Sequence, residues 1–126
     1  MLVVEDSQSC RELTKKIVQH EGYEVETARD GLEGCKMVES DPGRYHLVLM
    51  DVVMPVMNGI VATERLRKQG ISVPIVPLTG VPTEEMRQDC ELAGMTGYLT
   101  KPLTVPKLRI LMKQTKSLGS SSSTDF

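Results

Sequence analysis

Five side chains able to act together on an anionic group each follow a short apolar run. Glu5 and Asp6 come after Leu2-Val3-Val4, Asp51 after Leu47-Val48-Leu49-Met50, Thr79 after residues 73–78, and Lys101 after Tyr98-Leu99-Thr100. Carboxylates held close together repel and raise one another's proton affinity unless a cation compensates. Hard oxygen donors with room left for water and phosphate oxygens suit Mg²⁺ better than zinc. With a hydroxyl and an ammonium added, these are the parts needed to move a phosphoryl group onto a carboxylate. Taken singly, each has a plainer explanation, as a turn residue, a helix cap or a surface charge. That explanation is poor for all of them at successive strand ends.

The elements that would position them follow from the hydrophobic pattern. The run ending at Met50 reads as a strand buried on both faces. Asp51 then lies at its carboxyl end, where open α/β sheets place their ligand chemistry. Leu2-Val3-Val4 is a first strand, residues 23–28 alternate as a second, residues 73–78 form a fourth and residues 98–100 a fifth. Between them lie helices with N-caps at Ser7, Asp30, Asn58 and Thr83, Glu33 having capping-box spacing from Asp30. Their inward stripes are Cys10, Leu13, Ile17 and Val18; Leu32, Cys35 and Val38; Ile60, Thr63 and Leu66; and Met86, Cys90 and Ala93. A last helix over residues 105–115 carries Val105, Leu108 and Met112.

Strand and helix alternate, with connections too long for hairpins. The pattern predicts an α/β, flavodoxin-like, doubly wound five-stranded parallel sheet, order 2-1-3-4-5, with helices on both faces. In that order the first and third strands are neighbours, so Glu5, Asp6 and Asp51 meet at one edge. The expected folded domain covers residues 1–116. Residues 117–126 have a flexible-linker composition and are expected to form a disordered Ser-rich tail.

The chain has 126 residues, 40% of them hydrophobic and 25% charged, which suits one ordinary globular domain. A formal net charge of -2 gives no basic field for nucleic acid. No apolar stretch approaches membrane-spanning length and no signal-peptide pattern opens the chain. No membrane contact is therefore expected, and the expected compartment is cytoplasmic, including the cytoplasmic side of a membrane-bound parent, or nuclear. Cys10, Cys35 and Cys90 lack metal or disulfide spacing and read as small buried hydrophobes. His20 and His46 read as structural or exposed.

Four pieces together resemble the receiver domains of two-component response regulators. They are Val3-Val4-Glu5-Asp6-Ser7, residues 50–59 (Met-Asp-Val-Val-Met-Pro-Val-Met-Asn-Gly), residues 74–80, and Lys101-Pro102. The resemblance implies that Asp51 accepts a phosphoryl group from a phosphohistidine and that Asp6, Asp51 and the Val53 carbonyl bind Mg²⁺. Glu5 would act indirectly, through water or charge, while Thr79 hydrogen-bonds the phosphoryl group and Lys101 pairs with it. It also implies that the Lys101–Pro102 bond is cis. Thr79 and Tyr98 would form a switch that changes the surface of the fourth helix, fifth strand and fifth helix. The implied protein is a signalling module rather than an enzyme in the ordinary sense, catalysing its own phosphorylation and slow dephosphorylation. Its implied partner is a histidine kinase or a histidine phosphotransfer protein. Residues 56–59 and Ala62-Thr63 look most like receivers of hybrid histidine kinases, so the parent chain could itself be a kinase. A stand-alone response regulator is the alternative.

Other classes fit less well. A haloacid-dehalogenase-type phosphatase typically carries a second Asp two residues beyond the first, and that position is Val53. In a flavodoxin-type flavin module, Glu5-Asp6 would repel the flavin phosphate. A receiver-like module that is never phosphorylated would not need the acidic, Thr and Lys set.

Two departures carry expectations of their own. Pro77 lacks an N–H in what should be a central strand, which predicts a local irregularity just before Thr79. Val53 and Val81 offer no polar group to orient a hydrolytic water, which predicts a long-lived phospho-Asp51.

Overall fold

The computed structural model describes residues 1–80 and 82–121. The elements alternate as β1 (Leu2–Val4), α1 (Gln8–His20), β2 (Glu26–Ala28), α2 (Gly31–Ser40), β3 (Val48–Met50), α3 (Gly59–Lys68), β4 (Ile75–Thr79), α4 (Glu84–Ala93), β5 (Leu99–Thr100) and α5 (Val105–Ser121). All strand pairs are parallel and the sheet order is β2-β1-β3-β4-β5, as the pattern predicts.

Two-residue periodicity in the strands divides the core in two. Leu2, Val4, Val48, Met50 and Ile75 face one side with Cys35 and Val38 of α2, Leu66 of α3 and Cys90 of α4. Val3, Leu49, Val76 and Leu78 face the other side with Val18 of α1 and Leu108 and Leu111 of α5. Helices therefore cover both faces, and the strands are buried throughout β1, β3 and β4.

The helix starts follow the cap residues. Ser7, Asp30, Asn58 and Thr83 accept from the backbone N–H groups of Cys10, Glu33, Val61 and Met86 respectively. Each bond satisfies a donor that the first helical turn leaves without an intrahelical partner. In α1 the buried residues are Thr14 and Val18, while Leu13 is 51% exposed. At about 100° per residue, Cys10, Thr14, Ile17 and Val18 share one side and Leu13 lies on its flank. Cys35 and Cys90 are buried, whereas Cys10 is only half-buried; both histidines are exposed.

The second strand is shorter than its alternating sequence, beginning at Glu26. α5 continues past Thr115 to Ser121, so the stretch expected to be disordered from 117 is in part helical. The remainder of that expected tail, residues 122–126, lies outside the described residues.

The irregularity expected at Pro77 falls in a different place. β4 runs unbroken through Pro77, which pairs with Met50 of β3. Successive residues of a strand direct their backbone groups to opposite edges. Pro74 O accepts from Val48 N at 2.9 Å toward β3, whereas Ile75 O and Thr79 O accept from Thr96 N and Lys101 N, each at 2.8 Å, on the β5 side. Pro77 shares the edge of Ile75 and Thr79, so its missing donor faces β5. The two accepting carbonyls are four residues apart and their two donors five apart. One extra residue therefore enters opposite Pro77, beside Gly97 with its φ of +70°. The distortion is bulge-like and belongs to the neighbouring segment, where the proline has no regular ladder partner to miss.

Candidate functional site

At the carboxyl edge of the sheet, backbone bonds carry β1 and β3 directly into the acidic residues. Glu5 N donates to Ala28 O at 3.0 Å and Asp51 N to Val4 O at 2.9 Å. Glu5 and Asp51 are buried, at 3% and 5% exposure, while Asp6 is exposed. One carboxylate oxygen from each of Glu5, Asp6 and Asp51 lies within 4.8 Å of the other two. Lys101 Nζ reaches between the two buried acids, 2.9 Å from Glu5 Oε2 and 3.0 Å from Asp51 Oδ2. Its backbone N–H donates to Thr79 O at 2.8 Å, and Thr79 is fully buried at the end of β4.

The electrostatics follow from this crowding. Burial pushes the Glu5 carboxyl above its ordinary value; the Lys101 hydrogen bond opposes that rise, and the Asp51 contact adds to it. Burial works against the Lys101 ammonium, but its hydrogen bonds to Glu5 and Asp51 outweigh burial and raise its pKa. Lys101 therefore stays charged at neutral pH. One ammonium bridges two of three clustered carboxylates, an arrangement that favours a further cation. The oxygen-only donor set, one member open to solvent, fits Mg²⁺ held partly by water.

The loop after Asp51 is held closely. Gly59, the first residue of α3, donates its N–H to Val52 O at 2.9 Å. A Cβ at Gly59 would lie 2.3 Å from Asp51 O and 2.9 Å from Met50 Cγ, so only glycine lets α3 start against the backbone of Asp51. Met57 N donates to Pro55 O at 2.7 Å, closing a three-residue γ-turn around Val56, whose φ is +67°. A β-branched residue at positive φ is strained. The loop is tied in turn to α2, because Gly31 N donates to Met57 O at 3.2 Å.

Other residues named from sequence lie around this centre. Val53 sits in the bend two residues beyond Asp51 and is 60% exposed. Tyr98 is half-buried immediately before β5 and packs on the core face shared with Cys90 and Met95. The Lys101–Pro102 peptide bond is cis. Val81 lies outside the described residues. Two cations contribute that sequence reasoning missed. Arg11 Nη1 donates to Glu5 O at 2.9 Å, holding the turn after β1. Lys107 Nζ donates to Thr100 O at 2.8 Å and Pro102 O at 3.1 Å, on either side of Lys101. Neither has a sequence signal that separates it from an ordinary surface cation.

Among the described residues, no helix is long and apolar enough to cross a membrane.

Residues 1–113 match the family model of the response regulator receiver domain. The osmosensing histidine protein kinase SLN1 of Saccharomyces cerevisiae is 35% identical over 119 residues, covering 90% of this chain and 10% of that protein. The response regulator MprA of Mycobacterium ulcerans is 35% identical over 120 residues, covering 92% of this chain and 51% of that protein. The chain thus spans about a tenth of the first relative and about half of the second. Among solved structures, the receiver domain of the sensor histidine kinase PA1611 from Pseudomonas aeruginosa aligns with a TM-score of 0.82 at 34% identity, covering 92% of this chain and 96% of that one. That structure is described with a magnesium ion coordinated in the active-site cleft. The chemotaxis protein CheY4 of Vibrio cholerae aligns with a TM-score of 0.82 at 34% identity, covering 90% and 95% of the two chains.

Proposed function

Because the chain belongs to the response regulator receiver domain family of two-component systems, we propose that its chemistry is acceptance of a phosphoryl group from a phosphohistidine onto Asp51. The observation that carries this reading is the Asp51 carboxylate standing beside two further carboxylates and 3.0 Å from the Lys101 ammonium.

In the transfer, an Asp51 carboxylate oxygen forms a bond to phosphorus as the P–N bond breaks, and the departing imidazole keeps the bonding pair and takes up a proton. Lys101 stands where its ammonium would pair with a phosphoryl oxygen, and Thr79 supplies a hydroxyl from β4. Such transfers rely on positioning and charge neutralisation more than on covalent catalysis by the protein. Mg²⁺ held by Asp6, Asp51 and the Val53 carbonyl, with Glu5 acting through water or charge, would supply the remaining positive charge at the phosphoryl oxygens. Thr79 and Tyr98 couple phosphorylation to the surface formed by α4, β5 and α5.

The donor in this reading is a histidine kinase or a histidine phosphotransfer protein. The parent is a hybrid histidine kinase, a reading supported by the similarity to SLN1 and PA1611. The equal identity to MprA supports a response regulator as the second reading. In either, the domain works in the cytoplasm, at the cytoplasmic side of a membrane-bound parent, or in the nucleus.

The test is incubation with acetyl phosphate and Mg²⁺, followed by intact mass. A phosphoryl adduct is expected on the wild-type chain and not on Asp51→Asn; equal adduct on both overturns the assignment. Val53 offers no polar group for positioning a hydrolytic water, so the adduct is expected to be long-lived. Val53→Asn is expected to speed phosphate loss in the same assay, and an unchanged decay would refute that part of the reading.

A further inference from the structure

Lys107 lies in the first turn of α5, where the helix dipole disfavours a cation, and no acidic residue shares that turn. Its ammonium is nevertheless fully engaged. Nζ donates to Thr100 O at 2.8 Å, to Thr100 Oγ1 at 3.2 Å and to Pro102 O at 3.1 Å. These contacts match the three donors of an ammonium to three oxygens. The two carbonyls belong to the residues immediately before and after Lys101. From the opposite side, Lys101 N–H is bonded to Thr79 O at 2.8 Å. The backbone of Lys101 is thus fixed from β4 and, on both flanks, from α5. Its side chain leaves this clamp to reach Glu5 Oε2 and Asp51 Oδ2.

We propose that Lys107 is a positioning residue for Lys101. By tying the carbonyls on either side of Lys101, its ammonium aims the Lys101 side chain at Asp51 and thereby sets the rate of phosphoryl transfer. The rate consequence rests on Asp51 being the phospho-acceptor; the positional consequence does not.

A role confined to stabilising α5 would weaken every property of the site together. Positioning of Lys101 has a different signature, because its ammonium occupies the same carboxylates that would hold a metal. Released from Asp51 and Glu5, Lys101 would slow phosphorylation without weakening Mg²⁺ binding. Lys107→Met keeps the apolar stem and removes the donors. It is expected to take up phosphate from acetyl phosphate about 5-fold to 10-fold more slowly than wild type, the scale of a small misplacement of a reacting group. Its Mg²⁺ affinity is expected to be unchanged or tighter. In a Lys101→Met background the same substitution is expected to add no further slowing. Lys107→Gln, which retains part of the donor set, is expected to fall between. The position of Lys101 is read separately, from its ¹⁵N ammonium resonance without Mg²⁺, which is expected to move in Lys107→Met and Lys107→Gln.

Full slowing in the Lys101→Met background, or parallel losses of rate and Mg²⁺ affinity, would overturn the proposal. An unmoved Lys101 resonance would do so whether or not the chain is phosphorylated. A resonance that moves in the variants, while the wild-type chain takes no phosphoryl group, would instead overturn the phospho-acceptor reading and leave the positioning intact.

Discussion

Gly59→Ala is expected to destabilise the folded protein by about 3 kcal/mol, near the upper end of ordinary overpacking costs. In a helix that exchange usually gains roughly 0.5–1 kcal/mol, so the expected sign is reversed. The reason is the start of α3 on the end of β3. The added methyl would meet Asp51 O at 2.3 Å, Met50 Cγ at 2.9 Å and Val52 Cα at 3.1 Å. Two of those atoms are backbone and no rotamer clears them. Relief requires α3 to lift away, which would break the bond from Gly59 N to Val52 O and shift the Asp51 carboxylate. Urea unfolding checks the stability, and acetyl-phosphate labelling the expected loss of phosphorylation. Gly43→Ala is the control, because a Cβ there meets nothing within 4 Å; its change is expected to stay within about 0.5 kcal/mol. Equal effects of the two substitutions would mean that the start of α3 does not bear on Asp51.

Lys101→Met is expected to slow phosphorylation by about 10²-fold, the scale seen when one donor to a developing anion is removed. Its stability effect should depend on pH. Without metal, the variant leaves Glu5 and Asp51 buried beside each other with no ammonium between them. Removing one partner of a buried pair costs about 3–5 kcal/mol, and Lys101's partial exposure places this loss nearer about 2 kcal/mol at neutral pH. Glu5 can relieve the repulsion by taking up a proton. Burial already holds its pKa above the ordinary 4.5 in the wild-type chain, and loss of Lys101 removes an opposing influence. The folded state then binds that proton more tightly than the unfolded state, so the stability it contributes is complete below 4.5 and is lost as pH rises through the raised value. The deficit of Lys101→Met relative to wild type should therefore shrink as pH falls from 7 toward 4.5, and shrink at neutral pH when Mg²⁺ is added. Urea midpoints across that pH range decide the matter; a constant deficit would show that Glu5 does not titrate with Lys101.

The placement of Glu5, Asp6, Asp51, Thr79 and Lys101 was legible because each follows an apolar run, and parallel order 2-1-3-4-5 sends those runs to one edge. The caps Ser7, Asp30, Asn58 and Thr83 were legible for a similar reason, since cap chemistry is local. What could not be read depends on long-range geometry. Lys107 and Arg11 matter through carbonyls that only the folded turns bring to them. Val56 gave no sign of its φ of +67°, because valine is poorly suited to that region and the surrounding loop must impose it. Leu13 has the right spacing for an inward stripe but lies on its flank. Pro77 showed that a donor was missing without showing which edge of β4 it had left, so the irregularity was expected one strand away from where it lies.

That displacement has a consequence for how the sheet comes apart. β4 holds β3 through Ile75, Val76 and Pro77, and holds β5 through Leu78 and Thr79. Its pairings with the two neighbours are thus consecutive stretches of one strand. Edge strand β5 pairs with β4 through two residues beyond a register slip and is otherwise held by Lys107 of α5, whereas β1 and β3 lie between paired neighbours. Regions with few such attachments open at lower free energy than the core. Tyr98 and Lys101 flank a strand expected to exchange its amides by sub-global opening before β3, which leads into Asp51 and is paired on both sides.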